Sequence, residues 1–248
     1  MKFTFIKIVK LNSKMKSIVS ILIVLIAGLA SAQEFNQFDA NGKRHGNWKK
    51  NFDGTQVLRY EGKFNHGQEV GQFKFYKNIN GKAVLTATRD FNTDGTAKVM
   101  FYASNGKVVS EGLMKGRTYI GPWKYYHNNS DQLMTLEHYN SSGELDGDRI
   151  IYYPNGQIAE KTFYKSGKLD GKANWYAENG VLIKEYLYDN GQLNGKASFY
   201  DKAGKLMVEG VYRNDKKHGI WKYYENGELK EEKDFTVYSK NPYKKKKN

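Results

Sequence analysis

From Gly147 to Phe235 the chain alternates apolar and polar positions in short blocks, and the blocks repeat. Segments opening at Gly147, Gly171, Gly195 and Gly219 each pass through an aromatic run ending in Tyr, a turn, an aliphatic residue, a Glu, an aromatic residue and a second turn. The opening glycines recur every 24 residues. In the third segment Ala197 and Phe199 alternate with Lys196, Ser198 and Tyr200, the period of two that belongs to a strand. After Ala203-Gly204, the residues Leu206, Glu209 and Tyr212 mark a second strand. Each unit therefore predicts a β-hairpin, and the fixed period predicts a repeat array in place of one central core.

The turns carry the most specific local signal. Asn155-Gly156, Asn179-Gly180 and Asn226-Gly227 follow the aromatic run, and Asn-Gly is a strong hairpin signal because both residues tolerate positive φ. The second turn reads Gly143-Glu-Leu-Asp-Gly147, Gly167-Lys-Leu-Asp-Gly171 and Gly191-Gln-Leu-Asn-Gly195. Connections this short leave no room for crossover helices, so the strands follow one another as an antiparallel meander.

Weaker copies lie upstream. Gly46 opens one with Trp48, Asp53-Gly54, Glu61 and Phe64, and Gly71 opens another with Phe73, Phe75 and Tyr76. Thr96 stands where the next glycine is expected, ahead of Phe101, Asn105-Gly106, Val108 and Glu111; Gly121 opens a unit with Trp123, Tyr125 and Tyr126. Unit starts are then spaced 25, 25, 25, 26, 24, 24 and 24 residues apart. The fold expected is all-β: an elongated, twisted, single-layer antiparallel β-meander of about eight hairpin repeats, roughly 75 Å long before twist.

Tyr76, Tyr126, Tyr152, Tyr176, Tyr200 and Tyr224 fall five residues after their opening glycines. On the other face, at plus two and plus four, lie Trp123 and Tyr125, Ala173 and Trp175, Ala197 and Phe199, Trp221 and Tyr223. Cross-strand aromatic pairs contribute roughly 0.2–1 kcal/mol each, so long rows hold the sheet together. These rows also supply the candidate partner surface: Trp123, Tyr125, Trp175, Phe199, Trp221, Tyr223, Tyr126, Tyr152, Tyr176, Tyr200 and Tyr224.

Four segments divide the 248 residues. Residues 1–32 read as a secretory signal, with Lys16 as the positive flank, Ile18 to Leu29 as the apolar region and Ala30-Ser31-Ala32 before a cleavage point at Gln33. Met15 is an alternative start, and an uncleaved membrane anchor is the competing reading, although about a dozen apolar residues are short for a span. Phe35, Phe38 and Asn41-Gly42 make a cap over residues 33–45; repeats occupy 46–235; residues 236–248 form a basic tail with Pro242 and Lys244 to Lys247. The tail protects a sheet edge or makes peripheral contact with an anionic surface. The expected location is the periplasm, envelope or exterior.

Composition narrows the partners. Aromatic residues make up 15%, with 19 Tyr, which suits pleated surfaces. Net charge is +14, and loss of residues 1–32 takes away five lysines and no acid, leaving +9. Such a surface points to a protein or an anionic envelope component, or it serves solubility and edge protection alone. Basic residues among aromatics also suit single-stranded nucleic acid, a partner that export disfavours.

Chemistry is sparse. With no Cys, thiolate metal sites, disulfides and cysteine catalysis are excluded. His45 and His218 precede opening glycines, His66 precedes Gly67, and His127 and His138 lie in an irregular fourth unit, where residues 127–132 lengthen a turn. That longer turn marks a binding face or neutral drift at an exposed loop. No phosphate-cradling loop or nucleophile elbow is present, so no cofactor, metal or catalytic residue is expected. Glu61, Glu111, Glu160, Glu185, Glu209 and Glu232 recur on second strands, where pairing with neighbouring Lys is expected over an acid–base role, since a repeat supplies the same environment many times.

The phrase Glu209-Gly210-Val-Tyr212-Arg-Asn214-Asp-Lys-Lys-His218-Gly219-Ile-Trp221-Lys-Tyr223-Tyr224-Glu-Asn226-Gly227 closely resembles the MORN repeat, in its bacterial variant. Members of that variant are often labelled YwqK-type antitoxins. The resemblance covers about residues 41–235 and implies successive hairpins acting as a binding surface, with no catalytic residue to carry over. An export signal sits badly with neutralising a cytoplasmic toxin. The sequence thus leads to a non-enzymatic exported binding scaffold, with an antitoxin acting by direct capture as the alternative and an envelope hydrolase as a third reading.

Overall fold

The computed structural model describes residues 34–237, so the segment expected to be a secretory signal and most of the expected C-terminal tail lie outside the described residues. A short strand, β1 (Gln37–Phe38), leads into eight hairpins. The first four are β2 (Arg44–Asn51) with β3 (Leu58–Asn65), β4 (Gln68–Ile79) with β5 (Lys82–Phe91), β6 (Thr96–Tyr102) with β7 (Val108–Lys115), and β8 (Thr118–Tyr126) with β9 (Leu133–Tyr139). The next two are β10 (Gly147–Tyr152) with β11 (Ile158–Lys165) and β12 (Lys168–Tyr176) with β13 (Leu182–Asp189). In the seventh, β14 (Gln192–Leu193) and β15 (Gly195–Tyr200) follow one another across Asn194 and both pair with β13, and β15 pairs with β16 (Leu206–Arg213). The last joins β17 (Lys216–Glu225) to β18 (Glu228–Asp234). Each strand pairs antiparallel with its sequence neighbours, giving one open, twisted, all-β meander.

Within every hairpin the register slips at one place. Between the fourth and fifth positions after the opening residue the second strand carries an extra residue: Arg59, Thr86, Val109, Met134, Ala159, Ile183, Met207 and Lys230. These eight β-bulges sharpen the local twist and push one side chain outward per unit. Val109, Met134 and Met207 are accordingly exposed.

A second slip lies between units. Glu61 pairs with Lys74 but Lys63 pairs with Val70, so Gly62 faces a stretch containing Gly71; the same happens at Gly121, Gly171 and Gly219. The opening glycines there have φ of +64° (Gly71), +63° (Gly121), +83° (Gly171) and +64° (Gly219), a left-handed conformation that L side chains resist. This explains the unit that lacks a glycine. Ala97, not Thr96, occupies the opening place, since Ala97 pairs with Met114 as Gly46 pairs with Phe64. The β5–β6 joint runs without a slip, so no glycine is needed there.

The turns also differ from the expected assignment. At Asn155-Gly156 and Asn179-Gly180 only the glycine has positive φ, and the Asn side chain accepts a hydrogen bond from the backbone N–H of Gln157 (2.9 Å) or Val181 (3.2 Å). Asn226-Gly227 alone of the three has both residues left-handed. The paired left-handed turns sit mostly between units, at His66-Gly67, Ser166-Gly167, Asn190-Gly191 and Asn214-Asp215. Adjacent turns along that margin are tied by Gly67 N–H to Arg44 O, Gly167 to Leu145, Gly191 to Leu169 and Asp215 to Leu193, at 2.8–3.0 Å.

One face holds the core. Position plus two is buried in nearly every unit, with Phe73, Val99, Trp123, Ala173, Ala197 and Trp221 fully covered. Size alternates across the strands. Phe73, Trp123 and Trp221 pack against Gly62, Gly112 and Gly210, where any β-carbon would meet ring atoms. Where plus two is only Ala173, the opposing residue is Tyr186, whose ring packs edge-on against Trp175, Phe199 and Tyr212 at 5.6–5.9 Å. Burying a large apolar side chain contributes about 1.5–3 kcal/mol, so this complementarity gives a single layer its own interior.

Candidate functional site

The polar face explains the recurring glutamates. Tyr76, Tyr126 and Tyr224 donate to Glu61 (2.7 Å), Glu111 (2.7 Å) and Glu209 (2.8 Å). Lys49 (3.6 Å) and Lys74 (3.9 Å) flank Glu61, while Lys98, Lys172, Lys196 and Lys222 reach Glu111, Glu185, Glu209 and Glu232 at 3.1–3.8 Å. Burial and then the Glu111 contact push the Tyr126 hydroxyl up to about 12, and the Tyr126 hydrogen bond holds the Glu111 carboxyl below its usual range. Exposed ion pairs contribute about 0–1 kcal/mol each, so this face is a charge-matched lattice more than a reactive array.

Glu160 departs from that row. It pairs with Ile151 and Trp175, which places it on the aromatic face, whereas Lys161 takes the polar-face place. There Arg149, at a plus-two position, donates to Glu137 through Nε (3.1 Å) and to Glu160 through Nη1 (2.9 Å). Tyr139 donates to Glu137 (2.7 Å) and the Trp175 indole to Glu160 (2.8 Å). Burial first, and then Glu137, push the Tyr139 hydroxyl well above the ordinary tyrosine range. This saturated cluster interrupts the row of rings on that face.

The eleven aromatic candidates separate accordingly. Trp123 and Trp221 have no accessible surface, and their indoles donate to Leu113 O (2.8 Å) and Val211 O (3.2 Å), so they are core residues and not part of a partner surface. Tyr125, Trp175, Phe199 and Tyr223 are half-buried at plus four on the core face. Tyr126, Tyr152, Tyr176, Tyr200 and Tyr224 stand on the opposite face, so the two rows do not form one continuous surface. Of the histidines, His66 Nδ1 donates to Asp39 (2.7 Å) and its ring lies tilted against His45 at 4.7 Å, tying the N-terminal segment to the first inter-unit turn. His127 and His138 donate to the carbonyls of Tyr152 (3.1 Å) and Asp148 (2.8 Å). The longer turn at 127–132 stacks on its neighbour through Lys107 and Asp131 at 3.0 Å. Among the described residues no group of three or more His, Asp or Glu is placed to hold a metal, and no helix is long and apolar enough to cross a membrane.

A trough of about 620 Å³ opens on the core face, lined by Trp175, Ile183, Lys184, Phe199, Lys202 and Met207. The bulges build it: Ile183 and Met207 are extra residues beside Trp175 and Phe199, and Met207 is 45% exposed. Lys184 pairs in register with both Trp175 and Phe199, and its Nζ lies 3.8 Å from the Trp175 ring centroid. Sequence reading named the two rings but not their companions, because the side on which Ile183, Lys184 and Met207 fall depends on the bulge.

These features define a repeat scaffold of single-layer hairpins. A family description of MORN repeat variant matches residues 145–168, 169–190, 193–214 and 217–236, so these four units are repeats of that family. The upstream hairpins share the same bulge without being matched. Among solved structures, a protein of unknown function from Bacteroides fragilis NCTC 9343 is 8% identical over 71% of this chain and 96% of its own, with a TM-score of 0.14. No curated protein sequence matches the chain.

Proposed function

We propose that the chain is a non-enzymatic, exported scaffold that binds a protein or an envelope component along its sheet. The observation that carries this reading is the trough between Trp175 and Phe199, an apolar recess on the core face. Its size falls within the range of about 300–1,000 Å³ typical of binding clefts. The apolar stretch Ile18 to Leu29 ahead of Ala30-Ser31-Ala32 supports export, and the excess of lysine supports an anionic partner.

Photo-cross-linking in intact cells, with the probe at Met207, tests the reading; an extracytoplasmic partner is expected, and a processed N-terminus near Gln33 in mass spectrometry. An intact 1–32 segment in a cytosolic fraction overturns export. A cytoplasmic toxin captured in the same experiment, with growth rescued on co-expression, replaces this reading with the antitoxin one.

A further inference from the structure

Charge is distributed differently on the two faces. On the polar face lysines meet carboxylates in the lattice described above. On the core face Arg89 lies 5.6 Å from the Phe75 ring, Lys184 3.8 Å from Trp175 and 5.1 Å from Tyr186, and Lys217 4.1 Å from Trp221. Among the described residues, none of these three cations forms an ion pair with a carboxylate. The carboxylates Glu137 and Glu160 on that face are already taken by Arg149, and Glu231 by Lys233 at 3.1 Å. At the trough rim, Asp201 Oδ1 accepts from Ala203 and Lys205 N–H (2.8 Å each) within its own turn. Lys184 and Lys202 therefore border an apolar recess with no carboxylate committed to either of them.

We infer that the trough is a docking site for an acidic peptide segment carrying apolar anchors, with Lys184 as the residue that selects the charge. An apolar side chain seats between Trp175 and Phe199, against Ile183 and Met207. The Lys184 ammonium, held over the indole in the unbound protein, turns to the carboxylate of the incoming segment. Cation–aromatic attraction is weak at an accessible site, so Lys184 gives it up readily for a charge-assisted hydrogen bond. This inference rests on the scaffold reading and names its partner chemistry.

The test is fluorescence anisotropy of a labelled synthetic peptide alternating Glu with Leu and Phe, against the intact chain. Binding is expected to weaken roughly tenfold in Met207→Glu and severalfold in Lys184→Gln. Lys172→Gln, which removes the same charge from the opposite face, should leave it unchanged. Raising salt to roughly 0.5 M should weaken the wild-type complex and narrow the gap to Lys184→Gln. Met207 is exposed, and retention of the far-ultraviolet β-sheet spectrum verifies that its replacement folds. Equal binding by all variants, equal binding of the Lys-for-Glu peptide, or no peptide binding while anionic vesicles or a sulfated polysaccharide bind, overturns the inference. In those outcomes the scaffold reading is judged separately, by whether cellular cross-links appear elsewhere on the sheet.

Discussion

The indole of Trp221 packs against the α-carbon of Gly210, in the space where a side chain at that position would begin, with Cδ2, Cε2 and Cγ as the nearest ring atoms. Gly210 does not have a positive φ, so the constraint there is steric. Gly210→Ala should destabilise by about 1–3 kcal/mol through overpacking. Trp221→Ala should cost about 3–5 kcal/mol, the indole being wholly buried. The double variant should cost less than the sum, since the first loss disappears once the ring is gone. Chemical denaturation of the four proteins measures the coupling; strict additivity would contradict the packing.

Arg149 is the counterion of two carboxylates on the ring-bearing face. Arg149→Ala leaves Glu137 and Glu160 unpaired and should cost about 2–4 kcal/mol, on the low side for a buried pair because a quarter of the Arg side chain is exposed. Replacing all three together, as Glu137→Gln, Arg149→Met and Glu160→Gln, should leave stability within about 1 kcal/mol of the parent. Urea unfolding of the two variants separates these outcomes.

Asp39 anchors the N-terminal cap through His66. That hydrogen bond, and then one from Lys43 N–H, hold the Asp39 carboxyl down to about 2 from 3.8. A depressed folded-state value means the stabilisation is complete above pH 3.8 and is lost as pH falls through about 2. Amide exchange at Lys43 and Lys49 should accelerate in that window, and His66→Ala should move the loss to higher pH.

The Tyr126–Glu111 contact gives the opposite pH sign. The hydroxyl is raised to about 12 from 10.0, so its contribution is complete below pH 10 and is lost as pH rises through about 12. Tyr126→Phe should remove one late-titrating tyrosine from the ultraviolet titration. It should also raise the Glu111 carboxyl, measured by carbon NMR.

Much of the fold was legible in the chain because each unit repeats its residues: the hairpins, their number and the division into an aromatic and a tyrosine-bearing face follow from period and alternation. Register was not legible. Reading by residue type put Glu160 with Glu185 and Thr96 with the glycines, whereas pairing puts Lys161 and Ala97 there. A displacement of one residue moves a side chain to the other face, which is how an expected surface glutamate became the partner of Arg149.

The sequence by itself determined that the chain would fold as consecutive antiparallel hairpins, since short turns and a period of two permit little else. Tertiary structure alone decided which rings are interior and which are accessible. Trp48 and Trp123 both stand at plus two of their units, yet Trp123 is sealed against Gly112 while Trp48 is only half-buried, and only the pairing brings Ile183 and Lys184 beside Trp175. The physical reason is that a side chain's burial depends on what the adjacent strand places opposite it, and bulges that no single residue announces set that pairing.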